Sequence, residues 1–344
     1  MSSAGHRVAV VGATGNVGTV MLEVLAERDL PISEIVPFAS ARSEGRELEG
    51  GLVVRGLSDE AIEGFDIALF SAGATVSREW VPRFAAAGAV VVDNSSAFRR
   101  DEEIPLVVAE VNPEALDGHR GIISNPNCST MEMMVVLKPI LDAAGIERLV
   151  VSTYQSVAGT GQAAIDELHG QTHAVLHEME PPPPQIYPKT IAFNVIGAAG
   201  NFADGDDHTD EERKMMYETR KILGAPDMGI SVTCVRVPVT NCHSLSVNVQ
   251  TRDPLSAQAC RELLAAAPGI EVQDEPATHT HPNPLDADGR DEVFVGRIRE
   301  DPSHERALNL FVVADNLRKG AATNAVQIAE QLHERGLVRP ATPA

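Results

Sequence analysis

The chain has 344 residues, 43% hydrophobic and 22% charged, with 28 basic against 49 acidic side chains and a net charge of −21. That length suits two domains that each bury a core, and the composition excludes disordered and fibrous chains. The acidic balance argues against nucleic acid or an anionic membrane as a partner, since both require a basic footprint. No apolar run reaches the roughly 18 residues of a membrane span. The start, Met1-Ser-Ser-Ala-Gly-His6, lacks the apolar core of a signal peptide, so a cytoplasmic protein is expected.

In the first 150 residues, β-branched runs at Arg7 to Val11, Glu34 to Phe38, Asp66 to Phe70, Ala89 to Val92 and Gly121 to Ser124 read as strands. Helical stretches at Asn16 to Arg28 and Ser77 to Ala87 fall between them. This alternation predicts an α/β fold with an N-terminal Rossmann-type parallel sheet. Strands of a largely antiparallel sheet then follow at Leu149 to Val157, Ser231 to Val237, Leu245 to Gln250, Glu292 to Arg299 and Ala307 to Val313. Helices are expected near 160–178, 209–223 and 256–266, making a second, mixed α+β domain. Pro181 to Pro184 reads as a stiff surface loop, as does the Gly- and Asp-rich stretch Ala199 to Asp207. Lys319 to Arg335 carries a helical pattern that would return to the first domain, and only the last few residues are of low complexity. The expected division is 1–127, completed by 319–344, and 128–318.

The segment Val11-Gly12-Ala13-Thr14-Gly15-Asn16-Val17-Gly18 follows the first strand and opens the first helix. Gly12 permits the tight turn, Gly15 lets amides approach a phosphate, and Gly18 lets the helix sit close to the sheet, with its N-terminus facing the anion. A site for NAD would want an acid after the second strand. This chain has Ser40-Ala41-Arg42-Ser43 instead, and a guanidinium flanked by hydroxyls suits the 2′-phosphate of NADP.

Cys128 in Ser124-Asn125-Pro126-Asn127-Cys128-Ser129-Thr130 falls where a strand gives way to a helix. Free amides and the helix dipole there would favour a thiolate, and the same amides with Asn127 would form an oxyanion site. Cys234 and Cys260 read as inert buried thiols, while Cys242 stays ambiguous beside His243. The four cysteines show neither zinc-type pairing nor disulfide density, so no metal is expected.

The glycine turn, the Ser124 to Thr130 segment, Thr153-Tyr-Gln155, Arg236-Val-Pro-Val239 with His243-Ser244, and Asp315-Asn-Leu-Arg-Lys-Gly320 stand in an order that resembles the aspartate-semialdehyde dehydrogenase family, from about residue 7 to 333. The resemblance implies NADPH-dependent reductive dephosphorylation of aspartyl phosphate, through a cysteine thioester, in lysine, threonine and methionine biosynthesis. Cys128 matches the nucleophile, His243 the general acid/base, and Gln155 the residue that positions the acyl group. Arg236 matches the clamp on the substrate carboxylate, and Arg99 a phosphate ligand. Glu211 matches the acid that meets the substrate ammonium and Lys214 a phosphate ligand, although helix capping alone accounts for acids in Thr209-Asp-Glu-Glu. Thr14, Asn16, Val17, Ala72, Gly73, Gly159 and Asn316 complete the expected NADP(H) contacts. A homodimer is implied, with the second domain's sheet as interface.

Three departures stand out. Val157-Ala158-Gly159 lacks the serine the family often carries there, Cys242 precedes the histidine, and no proline follows Asn194-Val-Ile196. The nearest rival resemblance, to N-acetyl-γ-glutamyl-phosphate reductase, would leave Glu211 without a free ammonium to meet and usually sets its cysteine in Gly-Cys-Tyr. A non-catalytic NADP-binding regulator would have no need of Cys128, His243 and Arg236 together.

Overall fold

The computed structural model describes residues 5–338. The first four residues and 339–344, including part of the predicted C-terminal segment and tail, lie outside the described residues. The chain divides into two compact units, one spanning 5–127 with 321–338 and the other Cys128–Gly320.

The first unit opens with β1 (His6–Val11), α1 (Asn16–Glu27), β2 (Ile32–Phe38), β3 (Ile67–Phe70), α2 (Ala74–Ala86), β4 (Val90–Asp93) and β5 (Ile122–Ser124). The strands form one all-parallel sheet in the order β2-β1-β3-β4-β5. Alternation along the strands splits the core into two layers. Val8, Val10, Ile67 and Leu69 face α1, while Ala9, Val11, Ala68 and Phe70 face Val81 and Phe84 of α2. α2 begins three residues before the expected Ser77, because Gly73, at φ +80, turns the chain directly into the helix.

The second unit starts with α3 (Cys128–Ala144), followed by β6 (Ile146–Gln155), α4 (Gln162–Leu176), α5 (Asp210–Leu223), β7 (Gly229–Arg236) and β8 (His243–Thr251). α6 (Ala257–Ala265), β9 (Ile270–Val272), the single turn α7 (Pro284–Ala287), β10 (Val293–Glu300) and β11 (Ala307–Ala314) complete it. Its sheet runs β7-β6-β8-β11-β10-β9 and is mixed, with β6/β7 and β9/β10 parallel. The short parallel edge strand β9, Ile-Glu-Val, was not expected, since three residues carry no readable period. One face of the sheet is covered by α3, α5 and α6, and α3 is buried along most of its length. On the other face Val150, Ser152, Ser246, Asn248, Asn309 and Phe311 stay half-exposed and Tyr154 is exposed.

After a wide turn at Arg318–Ala322, α8 (Thr323–Glu334) returns to the first unit. Its Ala325, Ile328, Ala329 and Leu332 join the layer that also holds Met21 and Val24 of α1. No helix among the described residues is long and apolar enough to cross a membrane.

Candidate active site

The second unit brings six of the singled-out side chains onto adjoining elements. Cys128 is the first residue of α3 and is half-buried. Its Sγ lies 3.2 Å from Nε2 of His243, the first residue of β8. Position at a helix N-terminus favours an anionic sulfur. The other three thiols are buried: burial first, and nearby carboxylates after it, raise Cys234 and Cys242 far above the usual thiol range and Cys260 to about 12. Cys242, held at φ +67 with no glycine to ease it, shapes the backbone entering His243.

His243 is fully buried. Burial first, and the Arg236 charge second, hold its imidazole well below the ordinary range. The ring packs so close to the loop after β6 that a Cβ on Gly159 would stand 3.3 Å from its Cε1 and Nε2. Gly159 therefore leaves the room that the His243 ring occupies.

Gln155 and Arg236 end neighbouring strands and are paired in the β6/β7 register. Arg236 donates through Nη1 to the Ser156 carbonyl at 2.5 Å, lies with its guanidinium 5.7 Å from the centre of the Tyr187 ring, and keeps a buried Nε with no protein partner. Gln155 Nε2 donates to Glu211 Oε1 at 3.3 Å. Lys214 bonds to Asp210 Oδ2 at 2.8 Å and Glu211 Oε2 at 3.4 Å. At the start of α5, where the sequence left capping and ligand binding open, the structure shows the cap. Thr209 and Glu212 form the capping box, which leaves Glu211 to Gln155 and Lys214. Glu212 does more than cap. Its Oε2 accepts from Thr209 N at 2.8 Å and its Oε1 from Cys234 N at 3.0 Å, tying α5 to β7.

Ser156 is the residue that sequence reasoning missed. Val157-Ala158-Gly159 lacks the serine the family often carries, but Ser156, fully buried, contacts His243 Nδ1 with Oγ at 3.1 Å and donates to Asn316 Oδ1 at 2.8 Å. The signal available was a hydroxyl directly after Gln155. Asn316 retains a buried Nδ2 with no partner in the protein.

The remaining singled-out residues belong to the first unit. Gly12, at φ +89, could not carry a side chain, since a Cβ would stand 2.3 Å from Ser71 O, and one on Gly18 would stand 2.1 Å from Gly12 O. No side chain caps α1 at Gly15, so Asn16, Val17 and Gly18 present the helix's leading amides beside Thr14. Asn16 Nδ2 is buried without a partner. Ala72 and Gly73 follow β3. Ser40 and Arg42 are exposed and Ser43 half-buried on the turn after β2. Cradle, uncapped amides and orphaned donor fit a dinucleotide phosphate. Arg99 is buried, its guanidinium donating to Asn125 O at 2.9 Å and Asn94 O at 2.8 Å, and Asn127 is buried.

Comparison with known proteins assigns both units to known domain families. Residues 7–119 match the semialdehyde dehydrogenase NAD-binding domain and residues 137–319 the semialdehyde dehydrogenase dimerisation domain. The aspartate-semialdehyde dehydrogenase of Aquifex aeolicus (strain VF5) is 52% identical over 340 residues, covering 97% of this chain and 100% of that protein. The crystal structure of aspartate semialdehyde dehydrogenase II from Vibrio cholerae complexed with ASA superposes with a TM-score of 0.92 at 49% identity, covering 96% of this chain and 98% of that one. The NADP-bound aspartate semialdehyde dehydrogenase of Candida albicans matches at a TM-score of 0.75 and 27% identity, over 97% and 99% of the two chains. The chain, with its cofactor-binding and dimerisation domains, is a member of the aspartate-semialdehyde dehydrogenase family of oxidoreductases.

Proposed function

We propose that this chain reduces L-aspartyl 4-phosphate to L-aspartate 4-semialdehyde with NADPH, using Cys128 as nucleophile. The observation that carries this reading is the 3.2 Å contact between Cys128 Sγ and His243 Nε2 at the start of α3, beside a buried guanidinium. The sulfur attacks the acyl carbon, the C–O bond to phosphate breaks, and a thioester remains on Cys128. Bound NADPH supplies the hydride that reduces this thioester. Collapse of the resulting oxyanion breaks the C–S bond, releases the aldehyde and returns the electron pair to sulfur.

Arg236 takes the substrate carboxylate, for which a planar fork is suited, and its unpartnered Nε supports that role. Glu211 meets the ammonium, Lys214 and Arg99 bind phosphate, and Gln155 orients the acyl group. The glycine cradle and uncapped α1 hold the cofactor pyrophosphate, and Ala72, Gly73, Gly159 and Asn316 complete the cofactor's contacts. Arg42 with Ser40 and Ser43 holds the 2′-phosphate, so the cofactor is NADP rather than NAD. Asn127 and the amides after it serve the adduct oxyanion. Two copies pair through the half-exposed face of the second unit's sheet, where Tyr154 and Phe311 rings lie 6.2 Å apart.

NADPH formation from aspartate semialdehyde, NADP and phosphate, measured beside Cys128→Ser, tests the proposal. Phosphate-dependent turnover that the variant abolishes is expected. Activity on N-acetylglutamate semialdehyde alone would overturn the substrate, and silence on both would overturn the reaction.

A further inference from the structure

Toward its end α4 sets a histidine on every fourth residue, His169, His173 and His177, the last of them capping the helix. Residues four apart on a helix stand one turn above the other, with Cβ atoms about 5–6 Å apart, so the three imidazoles line one face. All three are exposed. This spacing is the one at which a helix offers two imidazoles to a single metal ion. The cysteine spacing gave no reason to expect a metal; the histidines of α4 do.

Geometry separates the three rings. His169 is engaged elsewhere, its Nε2 lying 3.2 Å from Thr240 Oγ1. His173 and His177 face each other, with ring centroids 4.1 Å apart and planes tilted by 34°. Nδ1 of His177 stands 2.8 Å from the carbonyl oxygen of His173. A carbonyl only accepts, so this Nδ1 carries the hydrogen and Nε2 of the neutral ring presents its lone pair. Metal-ligating histidines are held in the same way, the second ring nitrogen donating to a backbone carbonyl or carboxylate. A metal–imidazole bond is about 2.0–2.1 Å long, so one ion bridges two nitrogens about 3–4 Å apart, within reach of two rings stacked this closely. Glu178 and Glu180 follow directly, in a chain of net charge −21, and draw cations to this end of the helix.

We propose that His173 and His177 form a binding site for a divalent transition metal of the zinc or copper class at the C-terminal end of α4. The two imidazoles are the protein ligands and water fills the remaining positions. Magnesium and calcium, which take oxygen ligands, are refused. Among the described residues a second cluster of metal-type side chains, Cys242 with Asp288 and Asp315, is less suited, because the Asp315 carboxylate is already held by the amides of Gly289, Leu317 and Arg318. The ion closes the last turn of α4, just before Glu178, at φ +56, turns the chain toward the proline run. Further up the same helix Ala164 and Leu168 share an apolar cluster with Val157, in the loop after Gln155. A metal that ties His173 to His177 thus firms the helix that backs this loop.

The test uses the whole chain without an affinity tag, with Cys128 blocked by iodoacetamide so that its sulfur takes no metal. Zn²⁺ followed by titration calorimetry is expected to bind and to raise the unfolding temperature, and Mg²⁺ to do neither. His173→Gln and His177→Gln should each weaken Zn²⁺ at least about tenfold, the loss that follows when a residue of a metal site is removed, and should cancel the thermal shift. His169→Gln should stay within about threefold of wild type. Absence of Zn²⁺ binding by the wild type would overturn the proposal. So would unchanged affinity in both variants, which would move the ion to another pair such as His6 and His333, whose Nε2 and Nδ1 lie 2.9 Å apart. Equal weakening by His169→Gln would overturn the assignment to two histidines.

Discussion

Gly320→Ala tests how tightly the proposed nucleophile, Cys128, is seated. A Cβ at this position would stand 3.0 Å from the Cβ of Cys128, 2.9 Å from Glu132 Oε1 and 3.4 Å from Asn316 Cβ. Ordinary carbon contacts lie at about 3.5–4.0 Å, so the new methyl must push Cys128 or its own segment by about half an ångström. Glu132 Oε1 ends a flexible side chain, but Glu132 is fully buried and has little room to retreat. Overpacking of this kind costs about 1–3 kcal/mol. Because misplacement by about 1 Å can cost a hundredfold in rate, kcat should fall about 10- to 100-fold with a smaller change in KM, since the substrate's charge ligands are untouched. The assay is phosphate-dependent NADPH formation alongside thermal unfolding. A variant that unfolds at the wild-type temperature and turns over within twofold of wild type would refute the packing argument.

Glu132→Gln should stabilise the protein at neutral and alkaline pH. Burial, and then the charge of Asp315, raise the Glu132 carboxyl well above the ordinary range, and neither oxygen has a partner. The folded state therefore binds its proton more tightly than the unfolded state. The wild-type penalty is absent below the unfolded glutamate pKa and grows as pH rises toward the folded one. Unfolding midpoints of the two proteins should converge in acid and separate above it; parallel curves would refute the assignment. Arg42→Ala should lower kcat/KM for NADP by about 10- to 100-fold and leave NAD nearly unchanged, the loss of a charge-assisted phosphate contact; equal losses with both cofactors would remove Arg42 from the 2′-phosphate site. Ser246→Arg sets a charge in the half-exposed sheet face, where its neighbours in register are Ser152 and Phe311. It should weaken self-association at least about tenfold in light scattering, and an unchanged mass would place the interface elsewhere.

The periodic parts of this chain were legible. Near-continuous β-branched runs at Val8–Val11 and Val90–Val92 mark strands buried on both faces, and Gly12-x-x-Gly15-x-x-Gly18 marks the turn at the mouth of α1. The N-terminal placement of Cys128 followed from the strand-to-helix change around Pro126. Less legible was whatever depends on pairing over long separations. The bond from Ser156 to His243 joins positions 87 apart, and that from Ser156 to Asn316 spans 160. No local pattern announces either. Glu132 reads as one polar residue among the methionines of α3, and only burial reveals a carboxyl with nothing to bond. At Thr209 to Glu212 the letters fit a capping box and a proposed ligand site alike, and side-chain geometry alone separates Glu212, which caps, from Glu211, which reaches Gln155.

The Glu212 clamp also makes the pocket a caliper. One carboxylate grips the leading amide of α5 and the Cys234 amide of β7, so the acid and ammonium groups of α5 cannot drift relative to the guanidinium that ends β7. Under the roles proposed for Glu211 and Arg236, the gap between those charges selects skeleton length: a ligand one methylene longer would satisfy one end only by abandoning the other. Broadening this chain toward longer homologues would demand a different tether between α5 and β7, and enlarging the cavity around the sulfur would not suffice.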